Sequence, residues 1–253
     1  MKPLLLFDVD GTIAESGQKI DAEIFTILEK LHYDYDYDLG IVGGGNYEKI
    51  MDQINNSKIF THIFAECGCV YYKHDENKNY NLIYKKNIRS HPLYNKINQL
   101  VKVALRFLSN VDYIISGNFI DLRNGIIYIS LIGMSATNEE RKYFMDLDKE
   151  HGIRPALIQL LKNKSVELNI DDNIKILEGG SVGVGIYPIE HGKSQVMEFL
   201  QEYENISYFG DKYTVDGNDY ELLNHENVKG YPVNSIWETL EIVKKLDVDV
   251  AAV

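Results

Sequence analysis

The 253-residue chain has only two cysteines, Cys67 and Cys69, parted by a single glycine. That spacing suits neither a zinc site, whose paired ligands enclose about two to four residues, nor an easy disulfide between alternating strand positions. Both therefore read as structural thiols in a reducing cytosol. Basic charge is also scarce, with 26 Lys and Arg against 38 Asp and Glu and a formal net charge of −12. This argues against binding to a nucleic-acid backbone, where basic patches supply most of the affinity. It leaves room for a small anionic substrate, because the field in a cleft is set by its nearest charges, including a bound divalent cation. Long apolar runs are missing too: nothing approaches the roughly 18 to 20 residues of a membrane helix. Leu4-Leu5-Leu6-Phe7 falls short of the roughly 7 to 15-residue core of a signal peptide and reads as a buried strand. No repeat of about 20 to 50 residues occurs, which excludes a solenoid. With 45% hydrophobic and 25% charged residues, what remains is a soluble cytoplasmic protein of one large or two modest domains.

Apolar runs alternate with helical patterns in the first part, the sign of βαβ units and a parallel sheet. Strands are expected at 4–7, 39–42 and 63–65. A helix begins after Asp21 as N-cap and carries Ile24, Ile27, Leu28 and Leu31 on one face. Gly43-Gly44-Gly45-Asn46 makes a tight turn before a helix from Tyr47 to about Ile54. From about residue 82 to 187 the texture changes to an α+β mixture. It has helices at 93–108 and 138–149, strands at 119–122, 126–130, 174–177 and 182–187, and an Arg123-Asn124-Gly125 hairpin turn whose Asn-Gly pair would supply positive φ. After Pro188 the βα rhythm returns, with a helix at about 193–200, strands at 206–209 and 228–231, and a helix at 235–246. The expected fold is thus α/β: a Rossmann-like core with a parallel sheet, formed by 1–82 and 188–253, interrupted by an inserted α+β cap at 83–187.

Asp8 and Asp10 flank Val9 at the end of the first strand, where open α/β sheets bind ligands. A carboxylate there can attack phosphorus and form an aspartyl-phosphate, splitting one hard displacement into two easier ones. Asp8 is the candidate nucleophile. Asp10 is the candidate acid and base, a role that calls for a pKa pushed upward. Gly210-Asp211, with Asn218-Asp219 shortly after, forms a second acidic strand end suited to Mg2+, which takes oxygen ligands. Lys193 is placed to neutralise the transferring phosphoryl group, and the planar guanidinium groups of Arg123 and Arg141 suit a phosphate held away from the reacting centre.

Asp8-Val9-Asp10-Gly11-Thr12, the glycine turn, Lys193 and Gly210-Asp211 with Asn218-Asp219 resemble, in that order, the four motifs of the haloacid dehalogenase superfamily. Within it the chain is similar to the eukaryotic-type phosphomannomutases through Gln18-Lys19-Ile20-Asp21, Gly40-Ile41-Val42-Gly43-Gly44, Phe64-Ala65-Glu66, Arg123-Asn124-Gly125, Glu139-Glu140-Arg141, Leu147-Asp148-Lys149 and Gly217-Asn218-Asp219. The resemblance implies a mobile cap, homodimers joined through the caps, and interconversion of mannose 6-phosphate and mannose 1-phosphate by way of a hexose bisphosphate. It implies catalysis by Asp8, Asp10 and Lys193, and Mg2+ on Asp8, Asp10 (through its carbonyl), Asp211 and Asp219. The sugar phosphate would meet Arg123, Asn124, Arg141, Gly44 and Gly45.

The departures fall on substrate-facing positions. Gly45 stands where the second motif has a phosphate-binding Ser or Thr. Met134 and Gly17 replace arginines, and Gly183 and Gly185 replace the Ser and Asp that hold the sugar. Each lost contact weakens binding by about 1 to 3 kcal/mol. Two further readings follow: a Mg2+-dependent sugar-phosphate phosphatase on the same scaffold, and a binding protein that has kept the fold without catalysis.

Overall fold

A computed structural model describes residues 2–251, with side chains as far as Leu246. They form two units, one of residues up to Lys86 together with those from Gly192 onward, the other Asn87–His191.

In the first unit, all four residues of β1 (Leu4–Phe7) are buried. Strand side chains alternate between faces. Leu5 and Phe7 enter one core and Leu4 and Leu6 another, so this uniformly apolar strand is covered on both sides. The Asp21 carboxylate accepts the Glu23 and Ile24 N–H groups to start α1 (Ala22–Asp34), which buries Ile24, Leu28 and Leu31. β2 (Asp38–Val42), α2 (Tyr47–Gln53) and β3 (Phe60–Ala65) follow. An antiparallel extension, β4 (Val70–His74) and β5 (Tyr80–Lys85), then leaves the parallel pattern.

The second unit holds α3 (Tyr94–Leu108), β6 (Ile120–Leu122), β7 (Ile127–Ser130), α4 (Asn138–His151), α5 (Ile153–Glu167), β8 (Ile174–Gly179) and β9 (Gly183–Pro188). Its sheet is antiparallel throughout, in the order β6-β7-β9-β8. The core joins Leu100 and Ala104 of α3 to Ile127, Ile129, Val184 and Ile186. Helix α5 has no counterpart among the expected elements. The chain turns at Gly152, and Pro155 lies in the first turn of α5, where its missing N–H goes unused. Neither Asn124 nor Gly125 has the positive φ expected of them, among the described residues. The turn is instead a longer one in which Arg123 N–H donates to the Ile126 carbonyl at 3.0 Å.

Back in the first unit, residues 193–199 form a 3-10 stretch rather than the expected α-helix. β10 (Ile206–Gly210), α6 (Tyr220–Leu223), β11 (Val228–Pro232) and α7 (Ile236–Ala251) complete the chain. The large sheet runs β11-β10-β1-β2-β3-β4-β5, with its first five strands parallel. The units divide four residues later than the expected limits of 82/83 and 187/188. Strand β5 keeps the chain in the first sheet through Lys85, and His191 Nδ1 is 2.7 Å from the Gly125 carbonyl, inside the second unit. No helix among the described residues is long and apolar enough to cross a membrane.

Candidate active site

Past the end of β1, Asp8 still donates its N–H to the Phe209 carbonyl (2.9 Å), which carries its carboxylate to the end of the parallel strands beside β10. The backbone then folds back, with the Val9 carbonyl accepting from the Thr12, Ile13 and Ala14 N–H groups. Gly11 sits at φ +88°, and a Cβ there would stand 2.6 Å from Asp211 Oδ2. Both the backbone conformation and the space therefore call for glycine. Asp211 follows β10 directly and Asp219 precedes α6, so Asp8, Asp211 and Asp219 each bring an oxygen within 4.8 Å of the others.

Lys193 lies inside this cluster with 0% exposure, unlike an ordinary lysine at a helix start. Its ammonium donates to Asp8 Oδ1 (2.5 Å), Asp219 Oδ1 (2.6 Å) and the Tyr208 hydroxyl (3.2 Å), which uses all three donors. Tyr208 donates to Asp219 Oδ1, and the Lys212 N–H donates to Asp219 Oδ2 at 2.9 Å. Both oxygens of Asp219 are thus engaged by protein donors, which makes it an anchor for Lys193. The Asp8 carboxyl is pushed up to about 7, by burial first and by the charges of Asp219 and Asp211, against the downward pull of Lys193. Burial opposes the charge on Lys193, but Asp219 and Asp8 outweigh it and raise its pKa well above the ordinary value.

The Asp10 carboxylate lies outside the acidic cluster, and its pKa departs from expectation: it is lowered rather than raised. Burial alone would raise it, but the Lys49 charge, the Gly17 N–H, and the hydrogen bonds of Lys49 and Gln53 prevail. Oδ1 accepts from Gly17 N (2.8 Å) and Gln53 Nε2 (2.7 Å), and Oδ2 from Lys49 Nζ (2.8 Å). Lys49 and Gln53 stand four apart on α2 and share one face. That spacing was the available signal for two site residues the motif reading missed; Tyr208 had none.

Backbone hydrogen bonds from Glu66 to the Gly45 carbonyl and from Cys67 to the Gly43 carbonyl pin the glycine turn. A Cβ on Gly44 would lie 4.0 Å from Asn218 Nδ2, in open contact, whereas one on Gly45 would press on Lys49 Cδ at 3.1 Å. A hydroxyl-bearing residue at 45 would therefore disturb the lysine that holds Asp10. In the second unit, Arg123 Nε donates to Asp121 Oδ2 (2.7 Å), and Arg141 Nε to the Ala136 carbonyl (3.2 Å). The Asn124 carbonyl accepts the Ile88 N–H at 2.6 Å. Met134 is an exposed apolar side chain.

For a divalent cation the donor set fits. Asp8 and Asp211 offer hard oxygens, and Oδ1 of Asn218, the chain neighbour of Asp219, is buried without a hydrogen-bond partner.

Solved structures with this arrangement of strands include an IMP-nucleotidase of Plasmodium falciparum, at TM-score 0.69 and 15% identity, covering 98% of this chain and 62% of that one. Another is the C-terminal domain of trehalose-6-phosphate phosphatase from C. albicans, at TM-score 0.65 and 14% identity, covering 100% and 93%. The chain shares the fold of these two structures, an α/β unit with a largely parallel sheet into which an α+β unit is inserted. A family model for eukaryotic phosphomannomutase matches residues 26–248. A phosphomannomutase of Dendrobium officinale is 33% identical over 95% of this chain and 92% of its own. Phosphomannomutase 1 of Dictyostelium discoideum is 32% identical over 96% of both. The chain belongs to the eukaryotic phosphomannomutase family.

Proposed function

We propose that the chain interconverts mannose 6-phosphate and mannose 1-phosphate, with Asp8 carrying the phosphoryl group. The observation that carries this reading is the buried Lys193 bridge between Asp8 and Asp219, with Asp211 in the same cluster.

In this scheme Asp8 attacks phosphorus of a hexose bisphosphate, and the P–O bond to the sugar breaks as the aspartyl-phosphate forms. The leaving oxygen takes a proton from Asp10. In the return half, ionised Asp10 removes the proton of the incoming sugar hydroxyl as that oxygen takes the phosphoryl group from Asp8. The ion pair with Lys49 favours the base form of Asp10 needed for the return half. Lys193 keeps a positive charge against Asp8 throughout. Asp8, Asp211 and the Asp10 carbonyl would hold Mg2+, which when bound offsets the negative charge of the phosphoryl oxygens. Arg123 and Arg141 are the candidates for the second phosphate.

Incubation with mannose 1-phosphate, Mg2+ and a trace of hexose 1,6-bisphosphate should yield mannose 6-phosphate. Release of inorganic phosphate without isomer would turn the reading to a phosphatase, and neither product at high enzyme concentration would end it. The raised Asp8 pKa adds a pH signature. Below about 7 Asp8 is mostly protonated in the free protein, and metal binding must displace that proton. Calorimetry in buffers of different ionisation enthalpy should therefore show release of about one proton per chain at about pH 6 and far less at about pH 8. Equal release at both would contradict the assignment of Asp8 as a ligand.

A further inference from the structure

We propose that Tyr128 is a positioning and specificity-determining residue. Its ring is seated in a trough paved with glycine and holds the Arg123 guanidinium for a phosphate of the substrate. This rests on the sugar-phosphate reading above.

Ile127 and Ile129 of β7 face the core, so Tyr128 faces the other side of the sheet, opposite Asp121 of β6 and Gly185 of β9. A Cβ on Gly183 would stand 2.2 Å from both Cζ and Oη of Tyr128, and one on Gly179 would stand 2.8 Å from Cε2. No larger residue at 183 coexists with this ring position. The ring therefore fills the volume that a side chain at 183 would take, where the resemblance implies a sugar-holding Ser. The Tyr128 hydroxyl donates to the Gly179 carbonyl at 3.1 Å and fixes the ring from its far end.

The Arg123 guanidinium carbon lies 4.9 Å from the Tyr128 ring centroid, and its Nε is held by Asp121. The guanidinium is thus held at two points, over the ring and at Nε, which restricts how it can turn. A guanidinium so restricted suits two-point recognition of a phosphate, since the fork geometry is useful only if it is aimed. The charges of Arg141 and Arg154 also bear on the phenol, but Arg154 is committed to Asp148 (2.6 Å) and Glu178 (2.9 Å). Arg123 is the arginine that the Tyr128 ring faces, and with Arg141 it is the pair assigned above to the second phosphate.

The test uses the full chain with Mg2+, measuring mannose 6-phosphate binding by calorimetry and isomerisation kinetics, with unfolding curves to verify folding. Tyr128→Phe keeps the ring and should bind within about 2-fold of the unaltered protein. Tyr128→Leu should raise Kd and KM by about 5- to 20-fold, with kcat changed by less than about 2-fold. Gly183→Ala, whose Cβ expels the ring, should follow Tyr128→Leu. A Tyr128→Leu protein that binds as tightly as the original, while Arg123→Ala still weakens binding, overturns the inference and leaves the sugar-phosphate reading standing. A loss in Tyr128→Phe as large as in Tyr128→Leu overturns it as well. If the unaltered protein binds no hexose phosphate, the functional reading falls and the inference falls with it.

Discussion

Asp8→Asn is expected to reduce phosphoryl transfer by about ten-thousand-fold or more, because the amide cannot attack phosphorus and no other side chain occupies its position. Asn is nearly the same size, and its amide oxygen can still accept the Lys193 hydrogen bond at the Oδ1 position. The fold should therefore persist, with unfolding curves near those of the original. Steady-state isomerisation assays check the first part and chemical denaturation the second. Residual activity above about one per cent would mean that another group accepts the phosphoryl.

Lys193→Met should be the most destabilising single change in the first unit. The ammonium is wholly enclosed and is shared by Asp8, Asp219 and Tyr208. Its removal leaves carboxylates buried without their counter-charge, which destabilises by about 3 to 5 kcal/mol. Methionine fills much of the same volume, so little of that loss comes from a cavity. A shift in the urea midpoint with unchanged slope would measure it. Activity should fall together with stability, since the same charge faces the nucleophile. A loss below about 1 kcal/mol would place Lys193 among ordinary exposed pairs and contradict its burial.

Asp8 and Asp211 were legible as chemistry because each follows a run whose apolar character marks a strand end, and a parallel sheet gathers such ends along one edge; Asp219 is brought to them by the loop that leads from β10 into α6. The apolar run of β1 read as a buried strand, and the structure covers it on both faces. The partner of Asp10 was harder to read. Lys49 and Gln53 look like ordinary polar residues of a short helix until the packing of α2 turns them toward Asp10. The same packing reversed the expected direction of the Asp10 pKa, since three donors outweigh its burial.

Gly183 reads in the sequence as a lost contact. Its meaning changes once the register of β7 and β9 lays the Tyr128 ring across it, a pairing between residues far apart in the chain. Helix α5 escaped notice because Gly152 and Pro155 read as breakers, whereas one ends a helix and the other lies in the first turn of the next.

The central claim, that Asp8 accepts the phosphoryl group, is tested most directly by trapping it. The protein would be mixed with hexose 1,6-bisphosphate and Mg2+, quenched in acid within the first turnovers, and its N-terminal peptides weighed by mass spectrometry. One phosphoryl group should appear on the peptide bearing Asp8, should localise to that residue, and should vanish in Asp8→Asn. Isomer formation with no phosphoryl group on Asp8, or with the group on a different side chain, would contradict the account.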